Sequence, residues 1–395
     1  MRLLHTSDWH LGRWLMTVSL VEHQRDFLIW LADVAREREV DAILVSGDVY
    51  DRAVPSVDAV RLLEAGLVEL VRACPVILIS GNHDSPTRLG FGGELLEAVN
   101  IHLRSSVADI GRAVELTTRA GGSVVVYGVP YLEPEVTRAE LGAEKSHESV
   151  LIAAMDIVRA DLVARRRDAD ANGLPAPRGV AMAHAFITGG QPSDSERDVS
   201  VGGIADAPAT VFHGVDYVAL GHLHGPQTVA TDGGPTVRYS GSPIAYSFSE
   251  EGHVKSVTLV EIDADGGITT EALPTPVPRP LQTLSGDIDA LLSDAALSEH
   301  EQSWVRAILT DPRRPENAME RLRARFPHTI ELSWLPHLDG EPVANVDRRI
   351  DPVTSSPVEV VVSFIEHVTG TPATAEEATL AQESVERIRI AEASS

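Results

Sequence analysis

The chain has 395 residues, 43% of them hydrophobic, with 33 Lys plus Arg against 58 Asp plus Glu, a formal net charge of −25 at pH 7. That length is ample for more than one core. The acidity argues against a basic nucleic-acid coat or a polybasic membrane surface, while leaving room for local cationic or metal-bearing sites. A single cysteine, Cys74, excludes an intrachain disulfide framework and a thiolate metal cluster, and only Lys145 and Lys255 are lysines. The opening MRLLHTSDWH lacks the pattern of a signal peptide, and no apolar run approaches the ~18 residues of a membrane span. A soluble, cytoplasmic protein is the expectation.

In chain order, Arg2–Thr6, Ala42–Ser46, Val76–Ser80, Ser123–Val129, Gly179–His184 and Tyr217–Leu220 read as largely buried strands. Between them Glu22–Arg38, Val57–Arg72 and Glu148–Ala169 read as amphipathic helices. This alternation predicts a layered α/β domain. After Leu220 the texture turns to strands alone, at Thr236–Ser240 and Lys255–Ile262. The proline cluster Leu273–Pro280 reads as a linker, because proline sustains neither a ladder nor a helix interior. Beyond it, strands at Leu281–Ser285, Trp304–Thr310 and Thr329–Trp334, with helices at Asp287–Asp294 and Glu316–Phe326, predict a small βαβαβ unit.

A loop over Pro336–Pro357 then separates a tail in which Val358, Val361, Phe364, Ile365 and Val368 recur at helical spacing. Gly370 is placed to stop that helix, and Thr374 with Glu377 forms a capping box for the next.

Five short clusters each follow a predicted strand: Asp8-Trp9-His10, Gly47-Asp48-Val49-Tyr50-Asp51, Gly81-Asn82-His83-Asp84, His184, and Gly221-His222-Leu223-His224. Loops at the carboxyl ends of strands in an α/β sheet converge on one crevice. Imidazole, carboxylate and amide oxygen without thiolate suit Mn, Fe or Zn. The spacing of Asp8 to His10 and of His222 to His224 puts each pair on one side of an extended backbone. The glycines before Asp48, Asn82 and His222 allow tight turns or close approach. Taken singly, each cluster has a bland reading. A lone His184 is more often a satisfied core histidine, GNHD a β-turn, and GDxxD a turn before a helix. Five in this order at strand ends point to a binuclear metal site.

The order DxH, GDxxD, GNHD, a single His and GHxH resembles the calcineurin-like metallophosphoesterase superfamily. The segments LLHTSDWHLG, DAILVSGDVYD, GNHDSPTRL, DYVALGHLH and RYSGSPIAYSFSE are similar to its SbcD-type nuclease branch. The similarity runs through roughly residues 1–265. It implies a layered sandwich of mixed β-sheets flanked by helices, with a small α/β capping domain and a C-terminal helical tail. It implies that Asp8, His10, Asp48 and His224 bind one ion, and that Asp48, Asn82, His184 and His222 bind the other. His83 matches the catalytic histidine and Asp51 the position that orients it, while Asp84 reads as a cap for the following turn.

The resemblance further implies two divalent ions, most simply Mn2+, with Mg2+, Fe or Zn able to use similar ligands. DNA is the implied substrate, cut exonucleolytically in duplex and endonucleolytically in single strands. An SbcC-like ABC/SMC-type ATPase and a homodimer within a heterotetramer are the implied partners, and the nucleoid the place of action. The expected division is a nuclease domain over 1–275, a capping domain over 281–335, a linker over 336–356 and a partner-binding tail over 357–395. The dimer helices expected are Val57–Arg72 and the segment after Gly92. A stand-alone phosphatase or cyclic-nucleotide phosphodiesterase is the rival enzymatic reading. A metal-bearing scaffold with a vestigial site is the non-enzymatic one.

Overall fold

The computed structural model describes residues 1–117, 123–193, 196, 207–263, 265–338, 341–342, 357–369, 373–374, 377–382 and 384–385. Two six-stranded sheets carry the first part of the chain. In the first, the strands lie side by side as Ile268–Pro274, Ser256–Ile262, Arg2–Thr6, Ala42–Ser46, Val76–Ile79 and Ile101–Arg104. In the second, the order is Gln227–Val229, Thr236–Tyr239, Tyr217–Gly221, Arg178–His184, Ser123–Val129 and Val114–Thr117. Each sheet has a parallel centre and antiparallel strands at an edge.

The layering follows from side-chain alternation along the strands. In Ala42–Ser46, Ala42 and Leu44 join a core with Leu3, Ile79, Val126, Met182 and Ala219, which comes from both sheets. Ile43 and Val45 instead face Phe27, Leu31, Leu62 and Leu67 of the helices Val21–Glu37 and Val57–Val71. The second sheet is covered by the helix His147–Ala171 through Leu151, Met155 and Val158. Strands buried on both faces read as continuous apolar runs, which is why they stood out in the sequence. The fold is thus the expected mixed α/β sandwich of sheets flanked by helices.

Leu281–Gly286, Trp304–Leu309 and Thr329–Trp334 form a parallel three-stranded sheet. With the helices Ile288–Ser293 and Ala318–Arg325 it closes on Leu284, Val305, Leu322 and Phe326. This is the expected βαβαβ order.

The chain divides into two compact units: Met1–Thr310 with Pro315–Trp334, and Asp311–Arg314 with Leu335–Ser395. In the second, the helix Pro357–Thr369 spans the expected apolar repeat. The N–H of Thr374 donates to Glu377 Oε2 at 2.7 Å and the N–H of Glu377 to Thr374 Oγ1 at 3.3 Å, which is the reciprocal capping box. Gly370 lies outside the described residues. Where a loop was expected after Pro336, His337–Leu338 pairs with Glu341–Pro342, and 343–356 lie outside the described residues. No described helix is long and apolar enough to cross a membrane.

Several elements depart from expectation. The strands Ile101–Arg104, Val114–Thr117 and Ile268–Pro274 had not been anticipated. Leu273 and Pro274 complete the last of these, opposite Val257 and Ser256, so the proline-rich connection is shorter than expected. Pro274 is tolerated there because it ends an edge strand.

Candidate metal centre

Five strands deliver the candidate residues. Asp8 and His10 follow Arg2–Thr6, Asp48 and Asp51 follow Ala42–Ser46, and Asn82 and His83 follow Val76–Ile79. His184 ends its own strand, while His222 and His224 follow Tyr217–Gly221. The two sheets therefore contribute jointly.

The backbone is not extended there, contrary to the reading from spacing: Asp8, His10, Asp48 and His222 have φ of 53°, 43°, 49° and 108°. Non-glycine residues avoid this left-handed region, so four of the seven candidate ligands sit in strained conformations held by their surroundings. Glycine is required beside them. A Cβ on Gly81 would stand 2.1 Å from Asp48 Oδ1, and one on Gly47 2.4 Å from His184 Nδ1.

All seven candidate ligands converge, in two groups. In the first, His10 Nε2 and His224 Nε2 face each other at 3.2 Å, and both residues share a ligand-sized cluster with Asp8. In the second, Asn82 Oδ1 lies 2.9 Å from His184 Nε2 and 3.2 Å from His222 Nδ1. Between them Asp48 Oδ2 lies 3.6 Å from His10 Nε2 and 3.5 Å from His184 Nε2. The histidines of GHLH thus diverge into different groups. Asp8 is further fixed by Ser7 Oγ and by the main-chain N–H of His222 at 3.0 Å.

His83 sits beside this pair of groups, its ring centre 4.7 Å from that of His10. Its N–H donates to Asp48 Oδ1 at 2.9 Å. Its Nδ1 donates to the main-chain carbonyl of Asp51 at 2.8 Å, because that carbonyl only accepts. Asp51 therefore meets His83 through its backbone, not its side chain. The Asp51 carboxylate lies instead 3.5 Å from Arg13 and 3.7 Å from His10 Nδ1. Asp84 does not cap the following turn. That task falls to Ser85, which accepts from Arg88 N, while Asp84 accepts the N–H groups of Val49, Tyr50 and Gly81 at 2.9–3.0 Å.

Sequence reasoning missed a supporting layer. Gln24 donates to the carbonyls of Trp9 and His10 and accepts from Gly12 N, bracing the first ligand loop from a helix. Glu250 accepts from His224 Nδ1 at 3.3 Å and pairs with Lys255, both fully buried. One signal was visible: Lys255 is one of only two lysines, and it opens Lys255–Ile262, a segment that reads as a strand.

Electrostatics mark the same place. Burial alone would depress His184, yet the Asp48 carboxylate overrides it and raises the group to about 9. Burial, aided by nearby His184, holds His222 down to about 3. Burial raises Asp8 to about 6, against the pull of His184 and His224. Burial opposes ionisation of Asp48, but His184 and His10 hold it well below the usual carboxylate range.

The donor set fits divalent cations. His184 Nδ1 is spent on the Ser46 carbonyl at 2.9 Å, which leaves Nε2 as the inward donor. Asn82 turns Oδ1 inward while its buried Nδ2 has no hydrogen-bond partner, a cost that an inward oxygen ligand explains. Two imidazole nitrogens face to face beside two buried carboxylates likewise suit a shared cation.

The profile of the calcineurin-like phosphoesterase family matches residues 1–226, and that of SbcD_C, described as the type 5 capsule protein repressor C-terminal domain, matches residues 277–369. Their succession agrees with an SbcD-type nuclease subunit. Among similar solved structures, TT1561 of Thermus thermophilus is 16% identical, with 69% of this chain and 98% of that one covered, at a TM-score of 0.39. A dimetal phosphatase from Danio rerio is 15% identical, covering 69% and 96%, at 0.43. GAP50, the anchor in the inner membrane complex of Plasmodium, is 10% identical, covering 85% and 97%, at 0.39. The family match takes in more than half of the chain and contains every candidate ligand, so the chain belongs to the calcineurin-like phosphoesterases.

Proposed function

We propose that the chain is a metal-dependent DNA nuclease, an exonuclease on duplex ends and an endonuclease on single strands and hairpins. Its partner would be an SbcC-like ABC/SMC-type ATPase, in DNA repair and recombination in the cytoplasm, at the nucleoid. The observation that carries this reading is the C-terminal match over residues 277–369 behind a phosphoesterase domain in which seven candidate ligands lie together.

In this reading Asp8, His10, Asp48 and His224 hold one ion, and Asp48, Asn82, His184 and His222 the other. Two divalent ions, most simply Mn2+, would supply Lewis-acid polarisation of the phosphate and activation of water for in-line hydrolysis. His83 acts on the leaving 3′-oxygen. With the Nδ1 hydrogen given to the Asp51 carbonyl, Nε2 is the nitrogen left to act there, and it donates a proton or hydrogen bond when the ring is the imidazolium, protonated on both nitrogens. Asp51 contributes by fixing that ring through its main chain, and its carboxylate steadies Arg13.

Exposed apolar side chains support assembly. Phe91 and Leu95 are 86% and 80% exposed, and Val57, Val60 and Val68 are exposed on the helix Val57–Val71. Arg88, just before Phe91, reaches the carbonyl of Ala53, just before that helix, at 3.1 Å. This face would pair two copies. The tail helix, with Val360, Val361 and Phe364 exposed, would dock on the ATPase.

Three substrates offered with Mn2+ test the reading: end-labelled duplex or hairpin DNA, a bis-aryl phosphate and a phosphomonoester. Cleavage of DNA supports it. Hydrolysis of the phosphomonoester without DNA cleavage would replace it with a stand-alone phosphatase.

A further inference from the structure

Behind His224 stands an ion pair with both partners buried, Glu250 and Lys255. Burying two charges commonly costs more than their attraction returns, so such a pair in a core calls for a reason. Its hydrogen bonds supply one. Glu250 Oε1 accepts from His224 Nδ1 at 3.3 Å and from the N–H of Tyr246 at 3.1 Å. Glu250 Oε2 accepts from Lys255 Nζ and from Ser242 Oγ at 3.3 Å. Lys255 Nζ donates in turn to the main-chain carbonyl of His224 at 3.0 Å and to Ser242 Oγ at 2.9 Å.

His224 is therefore held at its ring by Glu250 and at its backbone carbonyl by Lys255, while Ser242 N–H also donates to that carbonyl at 3.1 Å and the His224 N–H donates to Glu196 Oε1 at 2.6 Å. An ionised carboxylate only accepts, so Nδ1 carries the hydrogen and the lone pair falls to Nε2, which points towards His10 Nε2 at 3.2 Å. The adjacent residue fastens the same turn elsewhere: Glu251 accepts from Thr283 N at 3.0 Å and Thr283 Oγ1 at 2.6 Å, on the first strand of the small sheet. Aim and tautomer of His224 are thus set by a turn clamped on both sides.

We propose that Glu250, seated by Lys255, is a positioning residue that fixes the tautomer and direction of His224 and so sets the affinity of the first ion. This rests on the metal reading given under Proposed function. Partners in this outer layer typically change metal affinity by ~10–100-fold.

The test is calorimetric titration of Mn2+ into the metal-free full chain. Replacing the pair by apolar residues of similar size, Glu250→Leu with Lys255→Met, removes both charges together and leaves no buried ion unpaired. The expected result is one ion bound as in the wild type and the other bound about 10–100-fold more weakly. Glu250→Gln with Lys255→Met returns an acceptor to Nδ1 and recovers part of the loss. Two ions bound at wild-type affinity by the folded Leu/Met variant would overturn the proposal.

A second measurement needs no variant at Glu250. In the wild-type chain loaded with diamagnetic Zn2+, long-range 1H–15N correlations, assigned by their loss in His224→Asn, should show His224 protonated at Nδ1. Protonation at Nε2 overturns the proposal even if the Leu/Met variant does not fold. A wild-type chain that binds fewer than two ions removes the metal reading itself, and this proposal with it.

Discussion

The carboxylate of Asp84 accepts the main-chain N–H of Tyr50 at 2.9 Å, across 34 residues of sequence. The same carboxylate accepts from Val49 and Gly81, so it stitches the loop carrying Asp48 to the loop carrying Asn82 and His83. Asp84→Ala would leave three buried N–H groups without a partner. At ~1–3 kcal/mol for each such group, a loss of about 3 kcal/mol or more is expected, read from the urea midpoint. Metal affinity should fall with it. An unchanged midpoint would show that the loops hold their shape without Asp84.

His83 and Asp48 should separate cleanly. His83 is not among the seven candidate ligands, so His83→Ala should bind two ions while losing about 10²–10⁴-fold in hydrolysis. Asp48 stands within 3.6 Å of both groups, so Asp48→Ala should lose ions and activity together. Metal content and rate measured on the same preparations decide this. Hydrolysis by His83→Ala at the wild-type rate would remove His83 from the mechanism.

His5 gives a pH dependence that does not involve the candidate ligands. It is buried, shares hydrogen bonds with Tyr217 Oη and the Leu220 carbonyl at 3.0 Å, and burial pushes it down to about 3. Between about pH 6.5 and pH 3 the unfolded chain binds a proton at His5 that the folded chain refuses. Its contribution to stability is therefore complete above that window and is lost as pH falls through it. His5→Phe should flatten the fall of the urea midpoint over this range, whatever its stability at neutral pH. Parallel slopes for the two proteins would contradict the assignment.

If the proposed function holds, deletion of residues 357–395 should abolish co-purification with an SbcC-like ATPase and spare metal-dependent hydrolysis of simple substrates. The candidate ligands all belong to the unit Met1–Thr310 with Pro315–Trp334, whereas the tail helix belongs to the other. A complex that survives the deletion would place the docking surface elsewhere.

The parts of the fold legible from sequence were those whose burial is two-sided or periodic. Arg2–Thr6, Ala42–Ser46 and Ser123–Val129 appear with the expected bounds, the last two because an apolar run between turn residues has few other uses. Ile268–Pro274 was not legible. Its residues are mostly exposed, and its pairing with Ser256–Ile262 supplies what its composition does not announce.

At the site, residue types and their placement after strands picked out candidate side chains that the fold brings together. Their backbone conformation did not follow from spacing, since a left-handed Asp8 or His10 is imposed by packing from other segments. The roles of Asp84, Gln24 and Glu250 were hidden for a related reason. Each acts on a loop distant in sequence, and a single buried polar residue carries no periodic mark.

The strained ligands have a consequence for how long the molecule lasts. Asp8, Asp48 and Asn82 hang from one sheet, and His184, His222 and His224 from the other, so an ion held by these candidates would rivet both layers together. Whatever binds only the folded form stabilises it by mass action. Chelation should therefore lower the melting temperature as well as stop cleavage, and proteases should reach the stripped chain sooner. Metal scarcity would then act twice on this protein, idling each copy and thinning the number of copies that remain.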